Sequence, residues 1–228
     1  MALIVIEGLD GAGKSTQIRL LGDYLNKKGI RNSYLHFPRM DSPFFGEMIA
    51  RFLRGELGEV NQVDPYVVAL LYACDRMDAS KMISGWLANN EVVILDRYVY
   101  SNVGFQCAKL NKVDDQDSLR KWIVDLEFNY YKIPRPSLNL FLDVPFQFTV
   151  ERLTENRKGD DREYLKGKED IHEKDLSFQE RVRQIYLKQE GIDPCFKVIK
   201  CYDQTNKVLK PEEIFLLIKQ KVEETISL

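Results

Sequence analysis

Short apolar runs alternate along this chain with longer stretches of helical periodicity. Leu3-Ile4-Val5-Ile6, Val92-Val93-Ile94-Leu95 and Leu138-Asn139-Leu140-Phe141-Leu142 are nearly continuous in apolar residues. Such runs are the mark of strands buried on both faces of a parallel sheet. Residues 32–37 and 196–202 read as two further strands. Between the strands, Ile18, Leu21 and Leu25 recur at helical spacing over 14–28, and Gly29 ends that run as a C-cap. A helical stretch passes through Met48, Ile49 and Leu53. Asp64-Pro65 then supplies an N-cap and a first-turn proline for a helix to about residue 89. A short helix over 101–106, a polar loop to Asp117 and a helix over 118–131 follow. Pro145 opens another helix, and two more cover 177–190 and 211–226. The alternation predicts an α/β protein with about five parallel strands, right-handed crossovers and helices on both faces.

Composition narrows this picture without redirecting it. With 228 residues, 44% of them hydrophobic and 30% charged, the chain suits one soluble α/β domain over 1–228. A net charge of −2 gives no basis for nucleic-acid binding, so an anionic ligand must be held by local charges. Cys74, Cys107, Cys195 and Cys201 have neither C-x-x-C nor zinc spacing, and His36 and His172 are too few for a histidine-built metal site. Only Met1 and Ala2 precede the first strand, leaving no room for a signal peptide, and no apolar run has the length of a membrane span. A cytoplasmic protein with reduced thiols is the expectation. The stretch 151–175 holds seven Lys or Arg and nine Asp or Glu without apolar periodicity. It reads as a solvated charged loop, and any function there must rest on particular arginines.

Chemistry enters at Gly8-Leu9-Asp10-Gly11-Ala12-Gly13-Lys14-Ser15-Thr16, which fits G-x-x-x-x-G-K-[ST] between a strand and a helix. In such a loop the glycines let backbone N–H groups converge on a polyphosphate, and the helix dipole adds to them. Lys14 would place its charge between the β- and γ-phosphates of a bound nucleotide, and Ser15 would offer its hydroxyl to Mg²⁺. Asp96 closes an apolar strand, the way a parallel sheet delivers an acid to its carboxyl edge. Asp96-Arg97 is either a structural ion pair or phosphate-directed chemistry, and the loop favours the second. Tyr72 and Arg76 share a helix face; the pattern alone reads them as a core aromatic and a surface charge.

Taken together, Ile6 to Gln17, Phe37-Pro38-Arg39, Tyr72 with Arg76, Asp96-Arg97-Tyr98 with Ser101, and Phe105-Gln106 resemble the thymidylate kinase family, in the right order over nearly the whole chain. The resemblance implies a three-layer P-loop NTPase fold with a mobile charged lid at about 153–175. It also implies transfer of the ATP γ-phosphate to thymidine 5′-monophosphate (dTMP), in dTTP synthesis. Asp10 would approach the sugar 3′-hydroxyl, Arg39 the acceptor phosphate, Tyr72 and Arg76 the base, and Gln106 the base pocket. Asp96 and Arg97 would organise metal and phosphates, with Tyr98 near the sugar. Phe37, Ser101 and Phe105 complete the substrate side. A homodimer packed through helices is implied as well.

One branch of that family carries an arginine inside the loop, where this chain has Gly11 and Ala12. The missing charge is therefore expected from the lid, from Arg157 or Arg162. Arg39 follows Phe37-Pro38 directly, one position earlier than is frequent. The alternatives are a P-loop deoxynucleoside kinase, which would bind no acceptor phosphate and have only a weak need for Arg39, or another nucleoside monophosphate kinase. A GTP switch is disfavoured because Asn206-Lys207-Val208-Leu209 lacks the final Asp of its base-reading motif.

Overall fold

The computed structural model describes residues 2–60, 62–155, 165 and 175–226, excepting the side chains of 151–155. Five parallel strands form one sheet: β1 (Leu3–Gly8), β2 (Asn32–His36), β3 (Val92–Asp96), β4 (Leu138–Asp143) and β5 (Phe196–Lys200), in the order β2-β3-β1-β4-β5. The helices among the described residues are α1 (Lys14–Lys27), α2 (Phe45–Leu53), α3 (Pro65–Ala88), α4 (Val99–Cys107), α5 (Val113–Val124), α6 (Phe146–Glu155), α7 (Leu176–Gln189) and α8 (Pro211–Thr225).

Strand periodicity separates two cores, one on each face of the sheet. Ile4 and Ile6 of β1 pack with Leu21 and Leu25 of α1 and Ile218 of α8. Leu3 and Val5 point the other way, into a core with Ala69 of α3, Val103 of α4, Ile123 of α5 and Val182 of α7. Three layers result, as the alternation of elements predicts. β1 lies centrally, with β3 on one side and β4 on the other, so the loops after β1 and β3 open into one crevice at the carboxyl ends of the strands.

Two boundaries differ from the periodicity. α5 begins at Val113 inside the expected polar loop; its first turn holds Asp114 and Asp115, which complement the positive helix end rather than face a core. The same helix does not continue as α to Tyr131 but widens into a π-helical turn over Asp125–Tyr130. The expected lid falls largely outside the described residues, as do Arg157 and Arg162. No helix among the described residues is long and apolar enough to cross a membrane.

Candidate active site

The loop after β1 turns on glycines at positions where a side chain would be strained: Gly11 and Gly13 have φ of 78° and 86°. Gly13 is also the N-cap of α1 and offers no side-chain hydrogen bond, so the first-turn N–H groups are left for an anion. Leu9 and Ala12 send their side chains into the two cores and serve the loop through backbone alone. Lys14 is buried, and its Nζ donates to the carbonyls of Gly8 (3.2 Å) and Leu9 (3.1 Å). Burial, then the nearby Arg97, hold its ammonium below the ordinary lysine range. Ser15 is exposed at the helix start, and Thr16 beside it is half-buried.

At the end of β3, Arg97 adopts a left-handed backbone with φ 66°, an uncommon conformation for a residue with a side chain. Its Nη2 meets Asp10 Oδ1 at 2.6 Å, and its Nη1 donates to Ser101 Oγ at 3.3 Å. The guanidinium also lies 5.4 Å over the Phe105 ring. Arg97 is thereby joined to the phosphate loop by a residue 87 positions away. Asp96 beside it keeps its carboxyl below the ordinary range: burial opposes this, but His36, Lys14 and Arg97 outweigh it.

Arg39 follows a cis Phe37–Pro38 peptide bond. Its backbone N–H donates to Asp75 Oδ2 (3.0 Å), its Nε to Asp75 Oδ1 (2.9 Å) and its Nη2 to Asp78 Oδ2 (2.6 Å). Arg76, one residue after Asp75 on α3, is fully buried rather than on the surface, and its Nη2 donates to Glu127 Oε1 at 2.8 Å. Glu127 comes from the π-helical turn after α5 and is itself fully buried. Asn102 Nδ2 donates to the same Glu127 oxygen (3.1 Å) and to the Ala69 carbonyl (2.9 Å). That fixes the amide so that Asn102 Oδ1 is buried with no hydrogen-bond partner among the described residues, as is Gln106 Oε1.

One cavity of about 1470 Å³ gathers these groups. Its walls include the loop from Asp10 to Thr16, then Arg39, Tyr72, Arg76, Asp96, Arg97, Ser101 and Gln106. Phe37, Tyr98, Asn102 and Phe105 also line it, as do Val208, Leu209 and Ile214. The Tyr98 hydroxyl donates to the Pro134 carbonyl (3.1 Å), and its buried ring packs against Phe37 and Phe128. Four participants were not singled out from sequence: Glu7, Asp75, Asn102 and Glu127. Glu7 had a usable signal, a carboxylate closing an apolar strand, the same one that marks Asp96. Glu127 had none.

Comparison with known proteins gives one answer at three levels. The family model described as thymidylate kinase matches residues 6–211. The thymidylate kinase of Mycobacterium tuberculosis is 33% identical over 184 residues, covering 81% of this chain and 83% of the relative. The probable thymidylate kinase of Thermococcus gammatolerans is 31% identical over 224 residues, 96% of each chain. The solved thymidylate kinase of Candida albicans shares the fold, with a TM-score of 0.73 at 23% identity over 98% of this chain and 91% of that one. A phosphate loop and a cluster of paired arginines facing one cavity, on a backbone matched from end to end, place this chain in the thymidylate kinase family.

Proposed function

We propose that the chain transfers the γ-phosphate of ATP to dTMP, giving thymidine 5′-diphosphate. The observation that carries this is the single cavity with a phosphate loop at one end and a base-reading edge at the other. Arg76 offers N–H donors there, while Asn102 Oδ1 and Gln106 Oε1 are acceptors without partners among the described residues. Thymine presents a carbonyl oxygen beside its N3–H, the complement of a donor next to an acceptor. Cytosine presents an amino group beside an unprotonated N3, which reverses both. Tyr72 supplies a ring face for the base.

Between the two ends, transfer needs cations where charge gathers and alignment of donor with acceptor, more than it needs a strong base. Lys14 and the N-terminus of α1 hold the donor phosphates, and Arg39 holds the phosphate of dTMP. Arg97 sits between them, beside Asp10, at the transferred group. Mg²⁺ fits this site. The orphaned Asp96 Oδ1 and the exposed Ser15 hydroxyl are hard oxygen donors. Among the described residues no group of three His, Cys, Asp or Glu could hold a metal ion. When bound, the ion neutralises phosphate charge.

The experiment is an ADP-release assay with ATP, Mg²⁺ and a panel of nucleosides and monophosphates. dTMP is to be the best acceptor; turnover of thymidine without turnover of dTMP sinks the proposal. We also propose a homodimer packed through α3, which leaves Val67, Leu70 and Met77 exposed along one side. A monomer mass by light scattering at micromolar concentration would exclude it.

A further inference from the structure

Beneath the arginine at the transferred phosphate lies a buried polar hub that phosphate binding does not account for. Glu7, the residue before the phosphate loop, is fully buried at the end of β1. Its carboxylate accepts from Tyr98 N (2.9 Å), Ser101 N (3.1 Å), Ser101 Oγ (2.6 Å) and the Tyr186 hydroxyl (2.9 Å). Three of these donors belong to the segment after β3. The fourth comes from α7. Ser101 Oγ also lies 2.9 Å from the Tyr186 hydroxyl and accepts from Arg97 Nη1. Each hydroxyl has one proton and both go to Glu7 Oε2, so the path from α7 to the guanidinium runs through the carboxylate: Tyr186 OH to Glu7 to Ser101 Oγ to Arg97.

The packing around Tyr186 holds it with little slack. Its ring stacks on Phe141 of β4, with centroids 4.5 Å apart and planes 13° from parallel. It also meets Gly104 of α4, where a Cβ would come within 2.8 Å of the ring. An apolar ring would satisfy this packing equally well. A hydroxyl here instead needs partners, and a buried carboxylate without donors is strongly disfavoured. Polar groups kept in so tight a place specify an arrangement, and the one they specify ends on Arg97.

We propose that Tyr186 is a positioning residue for phosphoryl transfer, its hydroxyl holding Arg97 through Ser101 and Glu7 in the orientation that meets Asp10. α7 thereby sets the aim of the arginine at the transferred phosphate. The inference rests on dTMP phosphorylation as the reaction, and on Arg97 as the residue at its centre.

Tyr186→Phe removes the hydroxyl and keeps the ring on Phe141. In the steady state it is to lower kcat roughly tenfold, the rate equivalent of one hydrogen bond to a charged group, and to leave KM for dTMP within about twofold. Arg97→Lys is to lower kcat further, and adding Tyr186→Phe to it is to cost nothing more, because the two act as one unit. Full kcat in Tyr186→Phe overturns the proposal, and so do losses that multiply in the double variant. A readout independent of turnover is the Arg97 Nε–H NMR signal in arginine-labelled protein, assigned by its disappearance in Arg97→Lys. It is to shift or broaden in Tyr186→Phe and, likewise, in Ser101→Ala. An unmoved signal overturns the coupling whatever the substrate, whereas failure of the wild type on dTMP overturns only the function.

Discussion

The two ends of the cavity are built for charge by opposite means. At the donor end the binding surface is backbone: one contiguous stretch, two left-handed glycines and an uncapped helix start, with Lys14 resting on carbonyls of its own loop. At the acceptor end it is side chain, and each arginine comes with a carboxylate from elsewhere: Arg39 with Asp75, Arg76 with Glu127, Arg97 with Asp10. The electrostatics divide along the same line. Burial draws the Lys14 ammonium below its ordinary range. Burial also opposes the charge on the three arginines, but their carboxylates outweigh it and hold all three above theirs. Backbone dipoles need no counter-charge, so a phosphate loop can be assembled locally. A guanidinium that must wait in a half-dry cavity for an anion needs a partner to hold it charged and aimed.

The largest test of this contrast removes a partner. Glu127→Ala leaves the buried Arg76 guanidinium without its carboxylate, and is to cost about 3–5 kcal/mol in urea unfolding along with a raised KM for dTMP. Replacing both residues with Met is to restore most of the stability and none of the dTMP affinity. If Glu127→Ala unfolds at the wild-type midpoint, the carboxylate is not what keeps Arg76 in place.

Next in size is the opposite manipulation at the donor end. Lys14→Met removes a charge that burial already disfavours, so unfolding is to occur at an equal or higher urea concentration. Turnover is to fall about 10²–10³-fold, the loss typical of one preorganised electrostatic group. A variant that loses stability as Glu127→Ala does would erase the distinction between the two ends.

The same division governs how much of the molecule could be read from its sequence. The phosphate loop was legible because it is local: Gly8 to Thr16 carries its glycines, Lys14 and helix start in one contiguous stretch, whereas Val208, Leu209 and Ile214 on the same cavity were not marked. Of the fold, the five strands and the cores between them followed from apolar runs such as Val92–Leu95. At the acceptor end, Arg97 was legible from its place after a strand-closing acid, and Arg39 and Arg76 through resemblance. What they are tied to was not, because the pairs bridge 36, 51 and 87 positions of chain. Asp75 stood next to Arg76 and went unmarked, since helix spacing alone does not say which carboxylate turns inward. Glu127 depends on a π-helical turn, and apolar spacing through Leu119, Ile123 and Leu126 predicts an ordinary α-helix there. Arg157 and Arg162, expected to complete the charge, lie outside the described residues.

The smallest test compares two carboxylates on one arginine. Asp75 is 1% exposed and receives the backbone and Nε of Arg39 as well as the Ser42 hydroxyl; Asp78 is 48% exposed and meets only Nη2. If burial decides which carboxylate orients the arginine, Asp75→Asn is to raise KM for dTMP roughly tenfold or more, the weight of a buried charge-assisted hydrogen bond. Asp78→Asn is to change stability by less than about 1 kcal/mol, as exposed pairs do, and KM by no more than about threefold. Its effect is also to shrink with added salt, because an exposed pair is screened and a buried one is not. Equal effects from the two variants would mean that Arg39 is held by charge in general. Unequal effects in the stated order would tie its aim to the buried carboxylate, the device that also serves Arg76.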